Sequence, residues 1–273
     1  MLFIISTTSG HLGDFSQRAI QSLQECDAVL CEDTRHSSIL LNHYGIEKKL
    51  ISYHKFKEIS CQEQILAELQ SGKNLALISD AGTPCINDPG QRLTAACIER
   101  NIPFTTIPGP CSLIQALILS GFEVTRFQFV GFLPKKTEEL LKKILYYPGT
   151  TVAFESAPRL INTLKTLQTL DPVRKIAVAR EITKKFEECL RGTAEELLAH
   201  FNKNRVRGEI VLVIAQGTVP EEELSIEELV QMLQELHGFS LRDAIKQAAH
   251  LTGMPKSSVY KKFHNHNPST QTE

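Results

Sequence analysis

Five short apolar runs, each followed by a helix-length stretch, fill the first 120 residues, and nothing else in the chain limits its fold so tightly. Residues 2–5, 28–31, 49–52, 75–79 and 104–107 read as strands, and helical patterns follow near residues 16–25, 37–44, 61–70, 89–99 and 111–119. Such alternation builds βα units and hence a mainly parallel sheet in an α/β fold. After Gly121 the character changes. Strands at 127–130, 151–155, 175–180, 186–191 and 209–215 include two consecutive ones without a helix between them, and "EITKK" reads as the hairpin turn joining that pair. The second sheet is therefore expected to be mixed. Beyond Gly217, acidic "PEEELSIEEL" reads as a linker running into a helix, followed by "SLRDAIKQAAHLTGMPKSSVYKKFH". The expected organisation is an N-terminal α/β domain at 1–120, a second α/β domain at 121–218 and a helical module at 222–266, with a frayed polar end from 266 to 273.

Bulk properties exclude several classes. With 273 residues, 42% of them hydrophobic, the chain has enough apolar content for real cores. Thirty Lys and Arg stand against 31 Asp and Glu, a net charge of -1, so no global basic field exists and any nucleic-acid contact requires a local patch. The seven cysteines are scattered with no C-x-x-C pair, which argues against a disulfide framework or a zinc site and fits a reducing cytoplasm. "MLFIISTTSG" reads as a first strand rather than a signal peptide, and no run approaches a membrane span.

In an open parallel sheet, ligands bind beyond the carboxyl ends of the strands. Those ends carry "STTSGHLGD", "CEDTRHS", "SYHKFKE", "SDAGTP" and "IPGPCSL", all polar or turn-rich. A dinucleotide turn would read G-x-G-x-x-G, whereas the first loop has only Gly10 and Gly13. Gly82 allows close approach of backbone to a ligand, and Pro84 restricts Thr83 toward extended geometry. Asp88 and Pro89 read as an N-cap and first helical residue. Gly109 between two prolines, with Ser112 at a helix start, reads equally as a plain turn or as a binding turn. In the second half, Glu155 and Ser156 end a strand, and Arg180, Glu181, Lys184, Glu187 and Arg191 surround the hairpin, a charged set that is either solvated or functional. His36, His43 and His54 read as satisfied polar residues rather than bases.

Taken together, "HLGD", "EDTRHS", "LLNHYGI", "ISYHKFKE", "LISDAGTP", "NDPGQRL", "IPGPCSL", "GFLPKK", "FESAPRL", "AREITKKFEE", "RGTAEEL" and "GEIVLVI" run in order over the first 217 residues. They resemble the tetrapyrrole methylase superfamily, and within it the branch that methylates a cytidine ribose 2'-hydroxyl in 16S ribosomal RNA. The resemblance implies two α/β domains facing a cleft, a homodimer, and S-adenosylmethionine as cofactor. Its cofactor contacts fall on Gly10, Asp80, Gly82, Thr83, Ile86, Ser112, Leu113, Phe154, Glu155, Ala179 and Gly208. The first loop departs from the pattern, with Thr8 where the family has proline and His11 where it has asparagine.

The carboxy-terminal piece is similar to the family's small helical module. A helix at 241–251, a turn at 252–255 and a helix at 256–263 have helix-turn-helix spacing. Arg242, Lys246, Lys256, Lys261 and Lys262 oppose only Asp243, which supplies the local basic patch, and Lys256, Lys261 and Lys262 are the candidate RNA contacts. Methyl transfer to a ribose hydroxyl needs in-line positioning and help with the proton or the developing alkoxide. Candidates are Glu32, Asp33, Arg35, Glu155, Arg180, Glu181 and Lys184; the reading takes Arg35 and Lys184 as holders of phosphate or alkoxide charge and Glu181 as the base, with a structural ion pair as the alternative for Glu181. No metal is required. The rivals are a small-molecule (porphyrinoid) methylase and a ligand-sensing regulator that binds DNA through the helical module.

Overall fold

The computed structural model describes residues 1–204, 206–217 and 225–266, and these divide into two compact units. The first holds residues 1–115 together with 181–187; the second holds 116–180 and the described residues from 188 onward.

In the first unit, β1 (Leu2–Ile5), β2 (Ala28–Cys31), β3 (Lys49–Ser52), β4 (Leu75–Ile78) and β5 (Phe104–Ile107) alternate with α1 (Gln17–Glu25), α2 (Thr34–His43), α3 (Glu58–Gln70), α4 (Gln91–Glu99) and the start of α5 (Ser112–Ser120). The sheet is all parallel, in the order β3-β2-β4-β1-β5. Period-2 alternation explains why it is covered on both faces. Leu2, Ile4, Leu30, Leu75 and Leu77 pack with Leu66, Leu69 and Leu93 of α3 and α4. Ile5, Val29, Cys31, Ala76 and Ile78 turn the other way, against Ala19, Leu23 and Leu41 of α1 and α2. Each fully buried leucine contributes roughly 1.5–3 kcal/mol of transfer free energy. The burial places the loops after β1, β4 and β5 side by side, because β1 lies between β4 and β5 in register, Ile5 facing both Ile78 and Ile107.

Three helix starts differ from expectation, the simplest being α3, which begins at Glu58 rather than 61. α2 begins at Thr34 rather than 37, because the Asp33 side chain accepts the Arg35 amide and caps the helix early. The Asp88-Pro89 cap is corrected: α4 begins at Gln91 with Gly90 as its N-cap at φ 131°, and the preceding Asn87 is left-handed at φ 65°. The chain enters α4 through a turn whose end Gly90 makes, so Asp88 and Pro89 belong to the loop.

The second unit contains β6 (Phe127–Phe132), α6 (Glu138–Leu145), β7 (Thr150–Ser156), α7 (Leu160–Leu170), β8 (Ile176–Arg180), β9 (Glu188–Gly192), α8 (Ala194–Phe201) and β10 (Glu209–Ile214). The sheet order is β6-β7-β10-β8-β9, with β6 parallel to β7 and the other neighbours antiparallel, a mixed sheet as expected. β8 and β9 pair from Ile176↔Gly192 to Arg180↔Glu188, so "EITKK" lies in their hairpin loop.

A three-helix module closes the described chain: α9 (Ile226–His237), α10 (Leu241–Thr252) and α11 (Lys256–His266). Its boundaries are written in its caps. Ser225 and Glu228 form a capping box, Gly238 ends α9 in the left-handed conformation, Ser240 caps α10 and Gly253 ends it at φ 66°. Leu229, Leu233, Ile245, Leu251, Val259 and Phe263 share a core with Tyr146 at the end of α6. Residues 222–224 of the expected module, and 267–273 of the expected frayed end, lie outside the described residues. Among the described residues no helix is long and apolar enough to cross a membrane.

Candidate active site

The loop after β1 is polar and yet buried: Ser6, Thr7, Thr8 and Ser9 are each at most 8% exposed. Buried polar groups need partners, and the neighbouring loops supply them. The Thr7 amide donates to the Gly82 carbonyl at 2.8 Å, its hydroxyl donates to the Ser79 carbonyl at 3.1 Å, and the Gly82 amide returns a bond to the Thr8 carbonyl at 3.3 Å. Ser6 Oγ donates to Thr83 Oγ1, which donates to the Pro110 carbonyl at 2.9 Å. Three strand-end loops are thus sewn into one wall carrying Gly82, Thr83 and the approach to Ser112.

Two glycines make this wall possible. Gly82 sits at φ +74°, where a Cβ would find ordinary contacts at 3.6 Å, so it is the backbone conformation that requires glycine. A Cβ on Gly109 would lie 2.9 Å from Ser6 Cβ, so there the requirement is close approach. Ser9 Oγ is buried beside Gly82 without a hydrogen-bond partner among the described residues. The two departures in the first loop have local explanations. Thr8 serves through its carbonyl, and His11 Nδ1 accepts the Gly13 amide at 3.1 Å, the short-range bond an asparagine side chain makes at such a turn.

Beyond β2, Asp80 accepts the Asp33 amide at 3.2 Å and joins the second loop to the fourth. The Asp33 carboxylate receives the amide, Nε and Nη2 of Arg35, and these bonds, the side-chain ones first, hold it well below the usual carboxylate range. Arg35 is thereby tied to Asp33 while its side chain is 90% exposed. Burial, and then the charge of Asp80, push the Glu32 carboxyl up, with His54 opposing.

The hairpin tip clusters with the first unit, against the first loop. His11 donates its amide to Thr183 Oγ1 at 3.2 Å, and a Cβ on Gly10 would lie 2.4 Å from Lys184 Cγ. Lys184 Nζ pairs with Glu181 Oε1 at 3.0 Å, while Arg180 pairs with Glu188. Glu181 and Thr183 are both left-handed, at φ 51° and 65°, conformations that cost free energy for residues with a Cβ. The structure thus brings together Gly10, Glu181 and Lys184.

Four of the cofactor candidates lie in the second unit. Val211 faces Phe154 on one side and Ala179 on the other, so these two share a rung of the sheet, and Glu155 faces Ile210 and through it Arg180. Phe154 packs edge-on against Phe129 and tilted against Phe132. Glu155, 1% exposed, accepts from the Ser156 amide, Arg159 Nη2 and Thr163 Oγ1, and so anchors the start of α7. Gly208 is left-handed at φ 86°. Leu113 is buried near the start of α5, Ile86 is partly exposed, and Lys256, Lys261 and Lys262 are exposed on α11. The sequence reading did not single out Ser6, Thr7, Ser9 or Thr183; the run of four hydroxyl residues directly after β1 was the available signal.

Residues 1–198 match the profile of the Tetrapyrrole (Corrin/Porphyrin) Methylases. The chain belongs to this family. Over 268 residues it is 42% identical to the Ribosomal RNA small subunit methyltransferase I of Synechocystis sp., with 95% of this chain and 96% of the relative covered, which places it in that branch of the tetrapyrrole methylases. A relative of the same name from Hydrogenobaculum sp. is 40% identical and is matched over 99% of its own length by 82% of this chain. Among solved structures, the uroporphyrin-III-C-methyltransferase of Thermus thermophilus superposes with a TM-score of 0.57 at 18% identity, covering 79% of this chain and 94% of that one, a likeness of fold.

The cofactor of this tetrapyrrole methylase is S-adenosylmethionine. The residues of the chain fit such a ligand: the wall presents the buried hydroxyl of Ser9, without a partner among the described residues, next to a left-handed glycine. These are groups that accept a polar ligand closely without a competing bond.

Proposed function

We propose that this protein transfers the methyl group of S-adenosylmethionine to the 2'-hydroxyl of a cytidine ribose in the 16S RNA of the small ribosomal subunit, acting in the cytoplasm as a homodimer. The observation that carries the reading is the 42% identity to a ribosomal RNA small subunit methyltransferase I across nearly the whole of both chains. The bound cofactor supplies an electrophilic methyl group on a sulfonium. On this reading its contacts are Gly10, Asp80, Gly82, Thr83, Ile86, Ser112, Leu113, Phe154, Glu155, Ala179 and Gly208. Because the Glu155 carboxylate is engaged with Ser156, Arg159 and Thr163, that residue acts through its backbone.

Lys184 holds negative charge as the hydroxyl oxygen develops it, and Glu181, at 3.0 Å from the Lys184 amine, accepts the proton. Arg35 meets RNA phosphate, its exposed guanidinium oriented by Asp33. Lys256, Lys261 and Lys262 add phosphate contacts from the helical module. The test is mass spectrometry of ribosomal RNA nucleosides from cells with and without the protein. Loss of one 2'-O-methylcytidine from the small-subunit RNA is expected. An unchanged RNA together with methylation of a porphyrinoid would replace this reading by the small-molecule one, and DNA binding without methyl transfer would replace it by the regulator.

A further inference from the structure

The loop from Ser79 to Gly90 is held in a costly shape. Four of its residues are left-handed: Gly82, Cys85, Asn87 and Gly90, at φ 74°, 70°, 65° and 131°. Two of these carry side chains, and such residues persist only where surrounding contacts over-determine the backbone. Ile86, a proposed cofactor contact, is the residue between them. The front of the loop is fixed by Thr7, Thr8 and Ser6, and its rear needs an anchor of its own.

That anchor comes from "SYHKFKE". Glu58, the first residue of α3, is 7% exposed, and its Oε1 accepts the Gly90 amide at 2.8 Å and the Tyr53 hydroxyl at 3.2 Å. Tyr53 is fully buried, and its amide donates to the Cys31 carbonyl at the end of β2, so the phenol is held by the sheet itself. Burial, and next the charge of Glu58, push the phenol up, which keeps it a donor. A side chain at Gly90 would be strained by its φ of 131° and crowded, since a Cβ there would lie 2.5 Å from Leu77 Cδ2 and 2.6 Å from Cys85 Sγ. Sheet, Tyr53, Glu58 and Gly90 thus form one buried chain of bonds that ends on the loop.

We propose that Tyr53 and Glu58 form a latch that positions the cofactor loop, so that Glu58 is a positioning residue for S-adenosylmethionine binding through Gly90 and the strained Cys85-Ile86-Asn87 segment. The latch rests on the placement of the cofactor against this loop proposed above. Without the carboxylate, the Gly90 amide is left buried and unpaired, and the strained segment loses what holds it.

The test is calorimetric titration of the full-length protein and its variants with S-adenosylmethionine, with thermal unfolding in parallel. Glu58→Ala is expected to weaken binding by about tenfold or more, and to raise the donor KM in step while kcat changes far less. Tyr53→Phe removes only the donor that orients the carboxylate, and should weaken binding by about threefold. Glu58→Gln should fall between wild type and Glu58→Ala, because its amide oxygen can still accept from Gly90. A merely structural role would lower the unfolding temperature and leave the affinity of the folded protein unchanged; that result in Tyr53→Phe and Glu58→Gln overturns the latch even if Glu58→Ala fails to fold. The binding readout is independent of the RNA. Wild-type protein that binds S-adenosylmethionine but leaves ribosomal RNA unmethylated would refute the proposed activity while the variants still decide the latch, and wild-type protein that does not bind the cofactor refutes both.

Discussion

Gly10 and Lys184 offer a sharp test of how the hairpin tip sits on the first loop. A Cβ at position 10 would stand 2.4 Å from Lys184 Cγ and 3.0 Å from Thr183 Oγ1, where ordinary contact begins at 3.4 Å. Cγ lies near the base of the lysine, so it clears only by a change of χ1 or a shift of the hairpin backbone, and either way Gly10→Ala must displace the Lys184 stem by about 1 Å, a misplacement that can cost up to about a hundredfold in rate. Overpacking of this size typically costs about 1–3 kcal/mol. The expected loss is therefore about 5- to 150-fold in kcat at saturating S-adenosylmethionine, or the equivalent shift in urea midpoint. The partner variants separate steric from electrostatic causes. Lys184→Met keeps an atom at Cγ but lacks the amine, so Gly10→Ala should shift the urea midpoint there as much as in wild type while lowering kcat little further. Lys184→Ala removes that atom and lowers kcat more than cofactor affinity by losing the amine, and on this background Gly10→Ala should keep only the smaller cost of its 3.0 Å contact with Thr183 Oγ1, a coupling of about 1–3 kcal/mol. If Gly10→Ala costs the same on the Lys184→Ala background as in wild type, the packing argument is wrong.

Three further outcomes follow from the same geometry. Because burial and Asp80 raise the folded-state carboxyl of Glu32, its neutral form is favoured by folding, and that contribution is lost as pH rises through the folded value; Glu32→Gln should therefore be more stable than wild type at pH 7, with an advantage that shrinks on acidification, read as urea midpoint against pH. Gly82→Ala has room for its methyl but not the backbone preference, so it should lose about 1–2 kcal/mol of stability by strain, and Gly82→Val should additionally weaken S-adenosylmethionine binding in calorimetry. Lys261→Glu combined with Lys262→Glu should leave cofactor affinity intact and lower the salt dependence of RNA binding by roughly one unit of slope for each phosphate no longer neutralised, whereas parallel titration curves of equal affinity would remove the module from the RNA interface.

The strands were legible because their signal is local. β1, β2, β3 and β5 fall on the apolar runs that mark them, and β4 differs by a single residue, since each run is bounded by turn residues and short enough to exclude a helix. Helix starts were less so. Asp88 and Pro89 form a sound capping pair in isolation, but the Gly90 amide already has a partner in Glu58, 32 residues earlier, and that long-range bond decides where α4 begins. The left-handed Cys85, Asn87, Glu181 and Thr183 were not legible for the same reason: their own side chains disfavour the conformation, and only contacts distant in sequence hold it.

The site shows the same division. Gly82 and Gly109 could be singled out because glycine is the visible trace of a constrained backbone, whereas the bonds that exploit them run to the Thr7 amide, the Thr8 carbonyl and the Ser6 side chain, in a loop whose residue types alone say only that it is polar. The helical module is an instructive opposite, since its caps and apolar spacing are fully local and α10 and α11 begin where they were read, at 241 and 256, although α11 runs on from 263 to His266, the first residue of the expected frayed end. Its use is the less local matter. A relative that bears the ribosomal RNA methyltransferase name is matched over 99% of its own length by 82% of this chain, which leaves about 49 residues of this chain without a counterpart. On the proposed reading the methyl-transfer chemistry then belongs to the two α/β units, and the module, basic in a protein of net charge -1, contributes hold on the RNA. Its lysines should accordingly appear in the RNA affinity and its salt dependence, and hardly at all in kcat once RNA is saturating.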